Sequence, residues 1–263
     1  MSESMKCAVV GHTEWTEFVR VERVPAAGEI ATGLDAWAVP AGGGAVVAAQ
    51  LARLTGACDF YTALGDDQPG RDAVDVLTSM GVAPHVEWRE RTRRAITFVD
   101  SSGERTITTL GPKLRPAGPL PLGEFDTVFF VAGDAEALRS ARAARFLAAT
   151  PRELPTLLEA NVPLDLLVGS ATDPSERYDG GLDVKVVCAT NGALGGVANG
   201  VEYAPAPLPG PAADTYGAGD SFAAALCFAL ARGDSLEDAL ALAARAGAAV
   251  VTGKGPFPAQ IRK

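Results

Sequence analysis

The chain of 263 residues contains little of what metal centres and histidine-based catalysis require. It has only two histidines, His12 and His85, and its four cysteines form no C-x-x-C pair. Zinc sites usually combine several closely spaced cysteines and histidines, and a Ser-His-Asp arrangement needs a histidine base. The sequence therefore predicts reduced, buried thiols and leaves acid–base chemistry to carboxylates.

Blocks of basic residues and long apolar runs are also missing. The net charge is −9, whereas a protein that binds a phosphate backbone needs a basic face. No run of 18 apolar residues occurs, and the first residues, MSESMKCAVVG, do not place an apolar segment after a charged one. We therefore expect a cytoplasmic protein that binds neither nucleic acid nor a membrane.

Short β-branched runs alternate with helical stretches along most of the chain. KCAVVG, DFYTAL and DVKVVCATNG are typical of buried parallel strands, while AVVAAQLARL and GRDAVDVLTSMG are typical of helices. Strand–helix alternation of this kind predicts an α/β fold, in which helices cover both faces of a parallel sheet.

Two other segments alternate apolar with polar residues and predict strands with one solvated face. These are EFVRVERV and RAITFVDSSGERTITT, where SSGE supplies a turn. They indicate a separate small sheet. The expected division is 1–11, 39–91 and 111–263 for the α/β domain, and 12–38 and 92–110 for the small sheet.

The stretch DTYGAGDSF, residues 214–222, stands directly before an apolar run. The run predicts a helix over about 221–232. Gly217, Ala218 and Gly219 would then offer backbone N–H groups at the positive end of this helix. Such a turn can hold the charge that spreads over a transferring phosphoryl group.

Asp220 is the carboxylate of this stretch, and two interpretations are open for it. It could be a favourable partner of the helix dipole or a cap. However, an ionised carboxylate at the edge of an apolar core is unfavourable without a partner or a task. Beside an anion-binding turn, it can accept the proton of an attacking alcohol.

The same stretch resembles the signature DTxGAGDxF of the ribokinase-like (PfkB) carbohydrate kinases. GGGAVVAAQLARLTG, LGDDQPGRDAVDVLTSMGV, AITFVDSSGERTI and VVCATNGALGG resemble other segments of that family, in the family's order. The resemblance implies a Rossmann-like main domain, a β-sheet lid that closes over the substrate, and transfer of the ATP γ-phosphate to an alcohol group of a sugar-like molecule.

Carried over by position, Asp220 resembles the catalytic base, and the amides of Gly217, Ala218 and Gly219 resemble the anion hole. The positions that resemble ATP-binding residues are Thr190, Gly192, Gly195, Gly217, Gly219 and Gly255. Magnesium would arrive bound to ATP. The resemblance leaves open whether Asp214 closes the turn or helps to hold a monovalent cation such as K⁺, and whether the lid forms a homodimer.

The substrate positions depart from the family pattern. Where the family has G-x-x-N-x-D, this chain has Glu14 and Thr16, so Glu14 either reads substrate hydroxyls or is a solvated lid residue. Gly42 and Gly43 either let the substrate approach the backbone or form a plain helix-entry turn. The family's next asparagine falls on a valine, at 46 or 47.

The family's N-x-x-E segment appears as SATD, with Ser170 and Asp173 at the two key positions. Asp173 either contacts magnesium through water or caps the turn that begins with Pro174. Asp66 and Asp67 are expected to shape a loop and a helix entry rather than to form a metal or acid–base pair.

The altered substrate positions keep three functions under consideration. The first is an ATP-dependent kinase of a sugar or sugar-like molecule. The second is a nucleoside kinase of the same fold, since the pocket has gained apolar character. The third is a catalytically weak protein that senses a nucleotide or metabolite.

Overall fold

The computed structural model describes residues 5–262, so residues 1–4 and 263 of the expected α/β domain lie outside the described part of the chain. The strands are β1 (Cys7–Val10), β2 (Glu14–Arg20), β3 (Asp35–Ala41), β4 (Cys58–Gly65), β5 (Val82–Arg89), β6 (Arg94–Val99), β7 (Arg105–Leu110), β8 (Thr127–Phe130), β9 (Phe146–Ala149), β10 (Leu164–Ser170), β11 (Val184–Thr190), β12 (Gly196–Ala198) and β13 (Val201–Tyr203). The helices are α1 (Gly43–Thr55), α2 (Gln68–Ser79), α3 (Ala135–Ala141), α4 (Leu154–Ala160), α5 (Ala218–Arg232) and α6 (Leu236–Val250).

Nine strands form one large sheet in the order β13-β12-β11-β10-β9-β8-β1-β4-β5. All neighbours from β5 to β11 are parallel, and only β12 and β13 add antiparallel pairs at one edge. The predicted α/β fold with a mostly parallel sheet is confirmed. No helix in the span 5–262 is long and apolar enough to cross a membrane.

Four strands form the predicted small sheet, in the order β3-β2-β6-β7. β2 and β6 run parallel, and the two outer pairs are antiparallel. β2 begins at Glu14, three residues before the alternating pattern that predicted it, and β3 continues to Ala41. The expected boundaries at 38 and 39 therefore fall inside a strand, and the division into two domains stays a prediction.

Helix α5 is apolar on every side because it is enclosed on every side. Residues Ser221–Ala229 are buried, between the large sheet and the neighbouring helices α1 and α6. Helices α3 and α4 cover the opposite face of the sheet with a second apolar cluster. A helix that is enclosed in this way reads as a continuous apolar run rather than as an amphipathic stripe.

The first strand, β1, is the switch point of the sheet, because β4 and β5 were added on one side of it and β8 to β13 on the other. β4 pairs with one side of β1 and β8 with the other, so a crevice opens at the carboxyl ends of β1 and β8. The start of α1 is packed against the end of β1. A Cβ atom on Gly44 would lie 2.6 Å from the carbonyl oxygen of His12 and 3.0 Å from Gly11 Cα, so this contact requires glycine.

Asp67 shapes the loop after β4, as expected. Its carboxylate caps α2 by accepting from Gly70 N at 3.0 Å, and it also accepts from Thr92 Oγ1 at 2.6 Å and Thr92 N at 3.0 Å. Because Thr92 lies just before β6, one side chain joins the start of α2 to the entry of the small sheet. Asp66 instead points outward and pairs with Arg71 at the surface.

Replacing Asp67 by alanine is expected to lower the free energy of unfolding by about 2 kcal/mol, because a helix cap and the partners of Thr92 are lost together. Asp66→Ala is the matched control and should change it by less than about 0.5 kcal/mol, since its ion pair is exposed. Urea unfolding measures both values. Equal effects of the two substitutions would contradict this role of Asp67.

Candidate active site

The glycine turn begins α5 earlier than the sequence pattern indicated. The helix starts at Ala218 instead of Ser221, and Gly217 is its N-cap with φ of +82°. A Cβ atom on Gly217 would lie 2.9 Å from Pro256 Cβ and 3.1 Å from Val46 Cγ1. Both the left-handed backbone and the close packing therefore require glycine at this position.

Most amides of this turn have no protein acceptor within residues 5–262. Ala218 N makes a long hydrogen bond of 3.4 Å to Thr215 O. The amides of Gly217, Gly219 and Asp220 donate to no acceptor within residues 5–262. Gly219 is exposed, and nothing lies within 4 Å of the position that its Cβ would take. The turn therefore presents open N–H groups at a helix N-terminus, the arrangement that binds anions.

The Asp220 carboxylate lies in the first turn of α5, partly buried, and no hydrogen bond to it is found in the described part of the chain. Burial, followed by the negative charge of Glu176, raises its pKa from 3.8 to about 6, against the opposing charges of Arg105 and Arg152. Burial without a protein partner distinguishes this aspartate from an ordinary helix cap.

The start of α1 lies directly beside this carboxylate. A Cβ atom on Gly43 would be 3.0 Å from Asp220 Oδ1 and 3.1 Å from Val131 Cγ1. The glycine thus leaves room for the carboxylate, which a plain helix-entry turn would not require. Val46 packs against Gly217 from the same helix, so the apolar residue at this position supports the turn.

Asp214 closes the turn through two buried hydrogen bonds. Its Oδ1 accepts from Tyr216 N at 2.8 Å and its Oδ2 from Gly255 N at 3.0 Å. Burial raises the pKa of this carboxyl group above 3.8. These contacts fit the interpretation that Asp214 closes the turn. A role of Asp214 in holding a monovalent cation stays a prediction.

Tyr216 connects the turn to α1 and to the small sheet. Its hydroxyl accepts from Gly42 N at 3.1 Å, and its ring meets Phe18 of β2 edge-on, with ring centroids 5.0 Å apart. Burial raises the pKa of the phenol well above its usual value. The tyrosine is therefore a neutral packing residue in this structure.

The small sheet lies against the glycine turn as a lid would. Arg105 Nη1 donates to Thr215 Oγ1 at 3.1 Å, and Arg20 Nη2 donates to Ala213 O at 2.9 Å. Thr215 N donates to Gly103 O at 3.1 Å, at the tip of the β6–β7 hairpin. Three polar contacts thus join the small sheet to the residues just before the catalytic candidate.

Glu14 and Thr16 lie on the buried face of the small sheet. Glu14 is 5% exposed and pairs with Arg93, whose Nε lies 3.2 Å from Glu14 Oε2, so the interpretation as a solvated glutamate is wrong. Burial raises the pKa of Glu14, and the charge of Arg93 opposes this effect. Thr16 is fully buried, and its hydroxyl has no hydrogen-bond partner within residues 5–262.

The residues expected to bind nucleotide fall into two groups. Thr190 ends β11, and Gly192 and Gly195 follow it at the same carboxyl edge of the sheet as the α5 turn; Gly192 is exposed. Gly255 is buried instead, its amide bonded to Asp214 and its Cβ position 3.1 Å from Trp37 Nε1. Contact of Gly255 with adenine stays a prediction.

Asp173 is engaged by protein groups. It caps the short turn at Pro174–Glu176 by accepting from Ser175 N at 2.9 Å, and its Oδ2 accepts from Arg152 at 2.7 Å. The Ser175 hydroxyl and amide, together with Arg152, hold the pKa of this carboxyl group at about 2. No cluster of three or more acidic, histidine or cysteine side chains suited to a metal occurs within residues 5–262.

Two charged residues near Asp220 escaped the sequence patterns. Arg152 and Glu176 pair with each other, and their charges act on the Asp220 carboxylate in opposite directions. Arg152 follows β9, a four-residue strand that the sequence patterns did not predict. Polar residues after that strand would have been the signal, because functional side chains gather at the carboxyl ends of parallel strands.

Comparison with known proteins identifies the family of this chain. The sequence model described as pfkB family carbohydrate kinase matches residues 4–129 and 135–260. The chain therefore belongs to the pfkB family of carbohydrate kinases, which are ATP-dependent kinases of carbohydrates and nucleosides.

Individual relatives are similar over most of the chain. Ribokinase of Arabidopsis thaliana is 26% identical over 292 residues, covering 95% of this chain and 77% of the relative. Aminoimidazole riboside kinase of Salmonella typhimurium is 27% identical over 276 residues, covering 84% of this chain and 86% of the relative. The crystal structure of A. thaliana ribokinase complexed with ribose and ATP shares the fold, with a TM-score of 0.75, 23% identity and coverage of 98% and 96% of the two chains.

Replacing Asp220 by asparagine is expected to stabilise the protein at pH 8 by up to about 3 kcal/mol. The pKa of Asp220 is raised from 3.8 to about 6, so its contribution to stability is present below pH about 4 and is lost as the pH rises through 6. Urea unfolding at pH 8 and pH 4 measures the difference, which should fall below about 1 kcal/mol at pH 4. A difference that does not change with pH would contradict burial of the ionised carboxylate.

Proposed function

We propose that this chain transfers the γ-phosphate of ATP to an alcohol group of a sugar or sugar-like molecule, with Asp220 as the general base. The proposal is supported by a carboxylate that accepts no hydrogen bond within residues 5–262 and lies directly beside open amides at a helix N-terminus. A base with a pKa of about 6 is ionised near neutral pH and can still accept a proton.

In the proposed reaction, Asp220 accepts the proton of the acceptor hydroxyl while the oxygen of that hydroxyl forms a bond to the γ-phosphorus. The bond from this phosphorus to the bridging oxygen of ADP breaks, and the electron pair leaves with ADP. The amides of Gly217, Ala218 and Gly219 stabilise the charge on the phosphoryl oxygens. The lid excludes water, which keeps ATP from being hydrolysed.

For the nucleotide we propose contacts with Thr190, Gly192, Gly195, Gly217 and Gly219, and with Gly255 on the adenine side. Support comes from the position of the first three after β11, on the edge that also carries the α5 turn. Exposed Gly192 leaves its backbone accessible, whereas the amide of Gly255 is already bonded. The carbonyl group of Gly255 and the residues beside it would therefore make the contact with adenine.

Magnesium bound to ATP would neutralise phosphate charge. Residues 5–262 offer no cluster of protein ligands for a separate metal centre, and Asp173 is already bonded to Arg152 and Ser175. We therefore propose for Asp173 at most a contact through magnesium-bound water. Both carboxylate oxygens of Asp214 accept hydrogen bonds. We therefore propose that backbone carbonyls supply the ligands of a monovalent cation such as K⁺ beside Asp214.

The acceptor would lie between Glu14, Thr16, Gly42, Gly43 and Asp220. Gly43 supports this placement because its missing side chain leaves the carboxylate accessible from α1. A free sugar is the first candidate. A homodimer through the lid is also proposed, supported by exposed apolar side chains such as Leu110 at the lid edge.

A nucleoside is the second candidate acceptor, favoured by the apolar character of the lid. Phe18 and Ile107 share its inner face, and Ile107 is 40% exposed. A panel of sugars and nucleosides with detection of ADP separates the two. ATP binding without ADP release on any acceptor of the panel would favour the catalytically weak sensing protein instead.

Asp220→Asn is expected to lower kcat by roughly 10²–10⁴-fold, the usual contribution of a positioned base, with little change in ATP affinity. Asp238→Asn is the matched control because Asp238 occupies the same position in the first turn of α6. Steady-state kinetics with saturating ATP and acceptor measure kcat. Near-normal turnover of Asp220→Asn would contradict the mechanism.

The pH dependence of kcat/KM should show the base directly. Because Asp220 must be ionised to accept a proton, kcat/KM is expected to fall about tenfold per pH unit below pH about 6 and to level off above it. Initial rates between pH 4.5 and 8 at constant ionic strength test this. A profile that is flat from pH 5 to 8 would exclude Asp220 as the base.

A further inference from the structure

Among the buried polar side chains beside the crevice, three have an atom without a hydrogen-bond partner in residues 5–262 and carry no charge. They are His12, Thr16 and Thr97, with exposed fractions of 8%, 0% and 0%. The unpartnered atoms are His12 Nδ1 and the two threonine hydroxyls. Buried polar groups are nearly always hydrogen-bonded in folded proteins, so exceptions beside the crevice are candidates for groups that bind a ligand.

The two threonines point in the same direction. Thr97 of β6 pairs in register with Phe18 of β2, and Thr16 pairs with Ala95. Paired residues of neighbouring strands share a face, and so do residues two apart on one strand. Both hydroxyls therefore lie on the buried inner face of the lid, together with Glu14.

His12 approaches the same space from the main domain. It follows β1, and its ring lies against the start of α1, since a Cβ atom on Gly42 would be 3.0 Å from His12 Cδ2 and 3.1 Å from Nε2. The next residue, Gly43, lies against the Asp220 carboxylate. His12 therefore contacts Gly42, the residue next to the glycine that contacts the proposed base.

The imidazole is neutral in this environment. Burial, followed by the charges of Lys113, Arg93, Arg152 and Arg115, holds the pKa of His12 well below 6.5. A neutral imidazole offers one nitrogen that donates and one that accepts, as a hydroxyl also does.

The cations that face His12 are already paired with carboxylates. The pairs are Arg93–Glu14, Lys113–Glu153, Arg115–Glu153 and Arg152–Glu176. A phosphorylated or carboxylated acceptor would need a cation that is not so engaged. The groups left for an acceptor are therefore neutral ones that both donate and accept hydrogen bonds, together with Arg93 Nε, which lies 3.2 Å from Glu14 Oε2 without a hydrogen bond and can donate to a hydroxyl oxygen.

We propose that His12 is a specificity-determining residue which, together with the hydroxyls of Thr16 and Thr97, hydrogen-bonds an uncharged polyhydroxylated acceptor. The inference rests on the proposed kinase function and adds the residues and the charge class of the acceptor. It replaces the carboxylate and amide readers of the family pattern with an imidazole and two hydroxyls. An acceptor that lacks the matching hydroxyls would leave these groups unpaired, and this gives discrimination.

Thr97→Val tests the proposal because valine has the same shape without the hydroxyl. The KM for the acceptor is expected to rise about tenfold, while KM for ATP stays unchanged and Tm without ligands rises by about 2–4 °C. Thr127→Val is the matched control: Thr127 is also fully buried, but its hydroxyl bonds Cys227 Sγ at 3.2 Å. It should lower Tm and leave both KM values unchanged.

Two substitutions of His12 test the imidazole nitrogen itself. An asparagine side chain can place a hydrogen-bonding atom close to the position of Nδ1, whereas phenylalanine keeps only the ring. His12→Asn is expected to keep the acceptor KM within about threefold and His12→Phe to raise it about tenfold or more. Rescue by asparagine would not occur if the ring served only to fill space.

The outcomes separate this inference from the proposed function. If the wild-type chain phosphorylates an uncharged polyol and Thr97→Val and His12→Phe keep its KM within twofold, the inference is wrong and the kinase function stands. If the preferred acceptor is a sugar phosphate, the inference is also wrong. Calorimetric binding of an uncharged polyol that these variants weaken, without any release of ADP, would support the inference and overturn the proposed function. Neither turnover nor binding of any acceptor would overturn both.

Discussion

The close approach of two helix starts is the constraint on which the rest of the site depends. Gly43 begins α1 and Asp220 lies in the first turn of α5, and a Cβ atom on Gly43 would lie only 3.0 Å from Asp220 Oδ1. Both helices point their N-termini at the carboxyl end of β1, where the order of strands reverses. The positive ends of two helices thus converge on a single carboxylate, and this makes the region suited to holding transferred negative charge.

One turn also joins the main domain to the lid. Asp214 accepts a hydrogen bond from Gly255, and Tyr216 accepts one from Gly42. Thr215 is hydrogen-bonded to Gly103 and Arg105 of the small sheet. Any movement of the small sheet away from the turn must break the contacts with Gly103 and Arg105, which begin only one residue beyond Asp214. The position of the small sheet is therefore coupled physically to the shape of the glycine turn.

Patterns that depend on local chemistry were readable from the sequence. The apolar strands, the glycine turn and the hairpin around SSGE were predicted because each requires residue types that little else requires. Glu14 could not be assigned, since its burial depends on Arg93, which is distant in sequence. Asp173 was ambiguous for the same reason, because its partner Arg152 follows a strand of four residues that carries no clear pattern. The sequence patterns assign no role to His12, because only the fold shows that its Nδ1 lacks a partner within residues 5–262.

The central claim is that Asp220 faces the reacting hydroxyl while the open amides hold the phosphoryl group. The most direct measurement is a crystal structure with a non-hydrolysable ATP analogue and an acceptor identified by ADP release. We expect an acceptor oxygen about 2.6–3.2 Å from an Asp220 carboxylate oxygen, with the γ-phosphate at the amides of Gly217–Gly219. A γ-phosphate bound away from this turn, or an acceptor hydroxyl out of reach of Asp220, would contradict it.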